Sequence, residues 1–281
     1  MEIITTRPLE YDPLNNFMFY KVMGEKGNEI QLLGFLNAVL GKTGEERFTF
    51  VEILENKSFS PQNIGGKSGT LDVRAVLSNK TRVNVEAQIR NQHNIDKRSL
   101  YYWSKEYSES LLSGQDYVEL PDVIAINIVN FDFPATRNFH SCFHLQEDTE
   151  KDIILTNALE IHYLNMVKYR KQGRNMHRGF KAIDPLCRWL AWLDKSSPPE
   201  LLAEVMKMDT AIQSANERMV HVTGDKEAIR AYWRHQMDLS DRTSELNYAR
   251  DEGRDEVIEL FEQGLSVDEV KQRLKQKRKD K

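Results

Sequence analysis

Two acidic residues, Asp72 and Glu86, lie in neighbouring stretches whose apolar and polar side chains alternate. Alternation with a period of two is typical of half-buried strands, so residues 71–77 and 83–89 are predicted to form two strands. Both acids fall on the polar side of their stretch. The sequence therefore predicts a hairpin that carries two carboxylates on one face.

The pairing of the two strands decides which side chains meet. A three-residue loop over Asn79–Thr81 aligns the apolar faces, whereas a two-residue loop sets apolar positions opposite polar ones. In the three-residue register Asp72 lies opposite Gln88, and Arg74 lies opposite Glu86. Asp72 and Glu86 are then diagonal neighbours, close enough to share one ligand.

Two carboxylates on one face can bind a hard divalent cation. Mg²⁺ is commonly held by one or two carboxylates together with water and substrate phosphate, and it can polarise a phosphodiester. Gln88 points to the same predicted face, where its amide could orient a water molecule or a phosphate. The alternative is a polar face that is simply solvated, as in many antiparallel hairpins.

Asp72, followed on the next strand by Glu86-Ala87-Gln88, resembles the D…(D/E)xK core of the PD-(D/E)xK nuclease superfamily. It is most similar to the recombination-promoting nuclease and transposase (Rpn-type) branch, in which the third core position is often Gln. The similarity extends over nearly the whole chain, in the segments Asp12–Phe17, Phe35–Leu40, Leu71–Val73, Val85–Gln88, Arg98 with Leu100–Ser104, and Val123–Ile128.

This resemblance implies a restriction-endonuclease-like α/β (α+β) fold, with a mixed central sheet flanked by helices and a helical C-terminal region. It implies a Mg²⁺-dependent endonuclease acting on DNA, with Mn²⁺ as a substitute metal. Asp72 and Glu86 are the implied metal ligands, and the carbonyl of Ala87 completes the coordination. Glu29 is a further candidate ligand, because the helix before the sheet lends an acid in many such nucleases; its alternative role is to complement the helix dipole.

The resemblance also implies roles for polar residues around these carboxylates. Gln88 positions the attacking water, and Arg98 and Tyr102 of the next predicted helix bind the phosphate. Lys105 is a candidate for the positive charge that Gln88 lacks, since most of the superfamily has lysine there. Asn16 stands where this branch is expected to have Asp, so it is not counted as a ligand.

Composition sets broad bounds on function. The net charge of −4 argues against a protein that coats nucleic acid, although a local basic groove would suffice for a nuclease. Basic residues cluster between Lys168 and Lys181 and again from Lys271 to the C-terminus. Each cluster could contact phosphate, or it could be solvated surface. No apolar run could span a bilayer and no signal pattern is seen, so we expect a cytoplasmic protein without a membrane partner.

Cysteine and histidine spacing predicts no second site. Cys142 and Cys187 lack the spaced partners of a zinc site and are interpreted as small core residues. His140, His144 and His162 show no ligand or triad spacing along the chain and are interpreted as ordinary residues.

The pattern of elements predicts a nuclease-like domain over residues 1–180 and a helical region with a basic tail over 181–281. Helices are expected at residues 28–40 and 97–113, the second with a buried stripe of Leu100, Trp103, Tyr107 and Leu111. The unbroken apolar run at residues 123–129 predicts a central strand covered on both faces.

The sequence alone leaves two other functions open. The chain could be a catalytically decayed DNA- or protein-binding adaptor, since Gln88 and Asn16 depart from the expected residues. It could also be a transcriptional regulator that binds DNA through its C-terminal helices. A homodimer would suit double-strand cutting.

Overall fold

The computed structural model describes residues 6–54, 73–111, 114–176 and 184–279. Within these ranges the strands are β1 Val51–Ile53, β2 Val73–Leu77, β3 Arg82–Gln88, β4 Val123–Val129, β5 His140–Gln146 and β6 Ile154–Asn165. The α-helices in the same ranges are α1 Asn16–Phe19, α2 Glu29–Val39, α3 Ile95–Ser108, α4 Met166–Met176, α5 Pro185–Leu193, α6 Pro199–Met208, α7 Thr210–Gly224, α8 Lys226–Glu262 and α9 Val267–Lys279.

The strands form one mixed sheet in the order β1-β2-β3-β4-β6-β5. The β3–β4 and β4–β6 pairs are parallel, and the other pairs are antiparallel. β4 is central and all seven of its residues are buried, as the apolar run predicted. A mixed sheet flanked by helices, followed by a helical C-terminal part, is consistent with the predicted restriction-endonuclease-like fold.

The predicted hairpin register is wrong by two residues. Val73 pairs with Val85 and Arg74 pairs with Asn84, so Arg74 is not opposite Glu86. The loop comprises residues 78–80, because the Lys80 N–H donates to the Leu77 carbonyl and Lys80 adopts a φ of 69°. A tight turn followed by a left-handed residue is a common three-residue hairpin loop. A shift of two preserves the faces, so the predicted apolar and polar sides are confirmed for the described residues.

Register partners point to the same side of a sheet, which defines two faces across the three strands β2, β3 and β4. The apolar face consists of Val73, Ala75, Leu77, Val83, Val85, Ala87, Ile124, Ile126 and Ile128. The polar face carries Arg74, Arg82, Asn84, Glu86, Gln88 and Asn127.

A short π-helical segment, Tyr20–Gly24, follows α1 and packs on the apolar face. A Cβ added at Gly24 would lie 2.9 Å from Val73 Cγ2, so this approach requires glycine. Further from the sheet, α2 is covered by α5 and α7. Phe35 of α2 meets Trp189 of α5 edge to face, with ring centroids 5.7 Å apart.

The polar face is covered by α3, and the predicted buried stripe is only partly correct: Trp103, Tyr107 and Leu111 are half-buried, and Trp103 packs on the core. Leu100 is half exposed, whereas Ile95, Ser99 and Glu106 are buried. Glu106 Oε1 accepts from Arg82 Nη1 at 2.8 Å, and Glu106 Oε2 accepts from Arg74 Nε at 2.7 Å. The helix turns charged and polar residues inward because the strands beneath it present charged and polar partners.

The chain divides into two compact units, residues 1–228 and 229–281. α5 and α7 contact α2 within the first unit, and the predicted division after residue 180 stays a prediction. Most of α8 and all of α9 belong to the second unit. α8 runs without a break through Gly253, and Ser266 caps α9 through Glu269.

None of the helices in the described ranges is long and apolar enough to cross a membrane.

Candidate active site

Glu86 is the centre of the candidate site. It lies on β3 between Val85 and Ala87, which pair with Ile126 and Ile128 of β4. Its side chain projects from the polar face beneath α3. Only 2% of the residue is exposed. The alternative of a merely solvated face is therefore wrong for this carboxylate, and its burial requires a physical explanation.

Arg98 of α3 is the charged partner of Glu86. Its Nη2 forms an ion pair with Glu86 Oε1, and its guanidinium lies over the ring of Tyr102, 5.3 Å from the centroid. Burial raises the pKa of the Glu86 carboxyl above its ordinary value, and the positive charge of Arg98 opposes this rise without cancelling it. The predicted residues Glu86, Arg98 and Tyr102 are thus brought together.

Three buried oxygens on the polar side of β3 have no hydrogen-bond partner among the described residues. They are Asn84 Oδ1, Glu86 Oε2 and the amide oxygen of Gln88, which is 7% exposed. The Gln88 amide nitrogen donates to the Arg90 carbonyl at 3.2 Å, which holds the side chain in place. Buried oxygens without donors are costly in a folded protein, so a group of them on one strand indicates a binding site.

Four further residues named in the sequence analysis have roles that stay predictions. Asp72 lies outside the described residues. The next residue in the chain, Val73, pairs with Val85, and Val85 is the residue directly before Glu86. Glu29 is the first residue of α2, and its Oε1 accepts from the Gly27 N–H at 3.1 Å. This contact fits the alternative role at the helix terminus.

Ala87 is buried and its side chain lies on the apolar face, so only its backbone could serve the site; the coordination by its carbonyl stays a prediction. Lys105 lies seven residues after Arg98 on α3, and its Nζ is 3.8 Å from Glu109 Oε1. Its proposed substitution for the missing lysine charge also stays a prediction.

Behind Glu86 lies a polar pair that the sequence analysis did not single out. Asn127 of β4 is the register partner of Glu86 and is 3% exposed. Its Oδ1 is 2.8 Å from the Ser99 hydroxyl of α3, and its Nδ2 donates to the His162 carbonyl. The signal that could have found it is one polar residue within the apolar run of β4.

Part of the basic stretch between Lys168 and Lys181 is engaged in internal contacts. Lys168 Nζ donates to the Thr136 carbonyl at 2.7 Å, and Arg170 Nη1 lies 3.3 Å from Asp194 Oδ1. These two cations stabilise the connections around β4 and α5. For the rest of the stretch the phosphate-binding role stays a prediction, and Arg178 and Lys181 lie outside the described residues.

Comparison with known proteins agrees with this geometry. A family model described as PD-(D/E)XK nuclease family transposase matches residues 13–249, which is 237 of the 281 residues. No curated protein and no solved structure matches the chain. The match includes the sheet, α3 and the candidate site, and it confirms the resemblance seen in the sequence. The chain belongs to the PD-(D/E)XK nuclease family transposases.

Proposed function

We propose that the protein is a Mg²⁺-dependent endonuclease that hydrolyses phosphodiester bonds of DNA, with Mn²⁺ as a substitute. The family match supports a nuclease or transposase-like role, and nucleases of this superfamily generally use divalent metal ions. The biological setting that fits is DNA recombination, mobile-element transfer or defence against foreign DNA. A homodimer is proposed for double-strand cutting.

The observation that carries this proposal is the buried Glu86 carboxylate with an unpartnered oxygen. A buried carboxylate that served only stability would be fully hydrogen-bonded, as Glu106 is by Arg74 and Arg82. Among the described residues, Glu86 has one cationic partner and one oxygen that accepts no hydrogen bond, and the Gln88 amide oxygen on the same face also accepts none. Oxygen donors of this kind suit a hard cation, so the residues fit the implied metal.

The proposed roles are those that the family resemblance implies. Glu86 and Asp72 hold the metal, with the Ala87 carbonyl and Glu29 as further ligands. The metal would polarise the phosphodiester and lower the pKa of the attacking water. The amide oxygen of Gln88 orients that water.

Arg98 has two roles in this scheme. It favours the ionised form of Glu86, because a positive charge beside a buried carboxylate opposes the rise of its pKa. Its guanidinium has five N–H donors, and the side chain retains 17% exposure, so it is also able to bind a phosphate oxygen with Tyr102 beside it.

The test is cleavage of supercoiled plasmid by tag-free protein in Mg²⁺, in Mn²⁺ and in EDTA. Asp72→Asn and Glu86→Gln preserve size and remove a carboxylate charge. We expect each variant to lose cleavage by at least about 100-fold, since even outer partners of metal ligands are worth 10–100-fold.

Glu52→Gln is the matched control. Glu52 is an exposed acid on β1 of the same sheet and should cut at the wild-type rate. Circular dichroism establishes that each variant is folded. Equal cleavage by wild type, Asp72→Asn and Glu86→Gln would indicate a contaminating nuclease and contradict the site.

A second candidate function is DNA binding without cleavage. It is favoured by one observation: the Glu86–Arg98 ion pair already neutralises the carboxylate, and Gln88 brings no catalytic charge. This adaptor predicts salt-sensitive DNA binding, no cleavage, and no shift of the melting temperature with Mg²⁺ or Mn²⁺. Metal-dependent stabilisation that Asp72→Asn removes would exclude it.

A further inference from the structure

A second group of metal-binding side chains lies at the other end of the sheet. β5 is an edge strand that pairs with β6, and Cys142 is the register partner of His162. Strand alternation brings His140 and His144 to the same side of β5 as Cys142, and Glu160 to the same side of β6 as His162. Five side chains able to bind or orient a metal are thus gathered on two strands.

Three of these side chains offer ligand atoms to one point. Cys142 Sγ, His144 Nε2 and a carboxylate oxygen of Glu160 all lie within 4.8 Å of one another. The sulfur is 3.2 Å from His144 Nε2 and 3.7 Å from Glu160 Oε1. Tetrahedral zinc with bonds of about 2.0–2.3 Å separates its ligands by roughly 3.3–3.8 Å. The two distances to the sulfur are close to this range.

The remaining two side chains form an orienting layer. His162 Nε2 lies 2.5 Å from Glu160 Oε1 and 3.5 Å from Cys142 Sγ, and its Nδ1 lies 2.8 Å from His140 Nε2. A neutral His162 that donates to Glu160 must accept at Nδ1, so His140 donates its Nε2–H. The rings of His140 and His162 also stack, 5.1 Å apart. Metal-binding carboxylates are commonly oriented by such outer hydrogen bonds.

We propose that Cys142, His144 and Glu160 form a site for a borderline-soft divalent transition metal of the Zn²⁺ type. Thiolate and imidazole select such metals, whereas Mg²⁺ requires oxygen ligands. Three protein ligands leave a fourth position for water or another molecule. Cys142 and His144 are exposed and Glu160 is half-buried, so a cation has access from solvent.

This site is separate from the candidate nuclease site. Glu86 is the register partner of Asn127, and Asn127 is the register partner of Tyr163. His162 precedes Tyr163, so the side chains of Glu160 and His162 project from the opposite side of the sheet. The two sites can therefore be altered independently.

The expected consequence is a metal link between the edge strand β5 and β6. Cys142 would bind the metal as a thiolate, so a cation has to displace the thiol proton. The link would hold together a strand pair whose register is irregular just beyond Phe143. Zn²⁺ should then raise the melting temperature of the chain.

Cobalt substitution of the full-length, tag-free chain tests the proposal. One equivalent of Co²⁺ should give visible d–d bands of a tetrahedral site and a near-ultraviolet thiolate-to-cobalt band, and one equivalent of Zn²⁺ should abolish both. Cys142→Ser should lose the thiolate band, and His144→Ala and Glu160→Gln should each weaken Co²⁺ binding by at least about 100-fold. His162→Gln, which removes an outer hydrogen bond, should weaken it by about 10–100-fold.

Two controls keep the result decisive. The chain has two cysteines, so a thiolate band that persists in Cys187→Ser must come from Cys142, even if Cys142→Ser fails to fold. Glu86→Gln should leave the cobalt spectrum unchanged. A wild-type chain without a thiolate band would overturn the site, and wild-type affinity in Glu160→Gln would overturn the three-ligand set.

Discussion

Val85 and Glu86 are neighbours on β3, yet they face two differently built sides of the sheet. Val85 and its partners Val73 and Ile126 belong to the apolar face. Glu86 and its partner Asn127 belong to the polar face, under α3. Both sides are buried, so exposure to water does not distinguish them. The difference is that one side buries hydrocarbon and the other buries charge.

The two faces of the sheet contribute differently to stability and to function. Burial of apolar side chains stabilises the fold in proportion to the apolar area removed from water, and it depends little on the direction of each contact. Burial of charge costs stability unless each atom has a partner, so polar contacts under α3 must be specific. Glu106 has two arginine partners, whereas Glu86 has an oxygen without one. We infer that the first carboxylate stabilises the fold and that the second is retained for activity.

The largest expected effect lies on the side of the apolar face. Phe35→Ala removes a fully buried ring that packs on Trp189, and it should lower the free energy of unfolding by about 3–5 kcal/mol. Cleavage per folded molecule should change less than about twofold. Urea unfolding measures the first quantity and plasmid nicking at low temperature the second.

Ile30→Ala is the matched control for this core substitution. Ile30 lies on the same helix, but 64% of it is exposed, so its removal should change stability by about 0.5 kcal/mol or less. A similar loss in both variants would mean that α2 is not packed as described.

A smaller loss is expected where α2 meets α7. A Cβ added at Gly34 would lie 2.4 Å from Ala211 Cβ, so Gly34→Ala should lower the free energy of unfolding by about 1–3 kcal/mol despite its better helix propensity. Gly253→Ala on α8 meets no atom within 4 Å and should instead gain up to about 1 kcal/mol. Thermal melts and amide exchange of the two helices distinguish the outcomes.

The two buried glutamates of the polar side give the sharpest comparison. Glu106→Gln removes charge from two arginine contacts and should cost about 1–3 kcal/mol of stability at pH 7. Glu86→Gln removes a desolvated charge and should leave stability unchanged or slightly higher, while abolishing cleavage. Equal destabilisation by both substitutions would contradict the assignment of separate roles.

The smallest effect is a change in pH dependence. The folded-state pKa of Glu86 is raised, so its contribution to stability is present at low pH and is lost as the pH rises through that pKa. In EDTA, wild type should therefore lose stability relative to Glu86→Gln as the pH rises above the ordinary glutamate pKa of about 4.3. Arg98→Met removes the charge that lowers this pKa and should steepen the loss.

The control for this pH series is Arg98→Lys, which retains a positive charge. Its unfolding curve over the same pH range should lie nearer to wild type than that of Arg98→Met. A pH dependence that is the same in all four proteins would show that Glu86 does not titrate with a raised pKa.

The local sequence pattern was sufficient to predict several strands and part of the candidate site. Period-two alternation identified β2 and β3 and the correct face of each described residue, and an unbroken apolar run identified β4 as the central strand. Ordered motifs identified the family and three residues that meet at the candidate site, Glu86, Arg98 and Tyr102. These features depend on neighbours along the chain, which a sequence displays directly.

Other features required the tertiary structure, because they depend on which distant segments meet. The buried side of α3 was only partly predicted, since hydrophobicity marks an inward face only when the partner surface is apolar. Asn127 became notable only as the partner of Glu86. Cys142 and His144 formed a ligand group only when β5 paired with β6 and brought Glu160 beside them. The register of β5 on β6 shifts after Phe143, and spacing along the chain does not reveal such a shift.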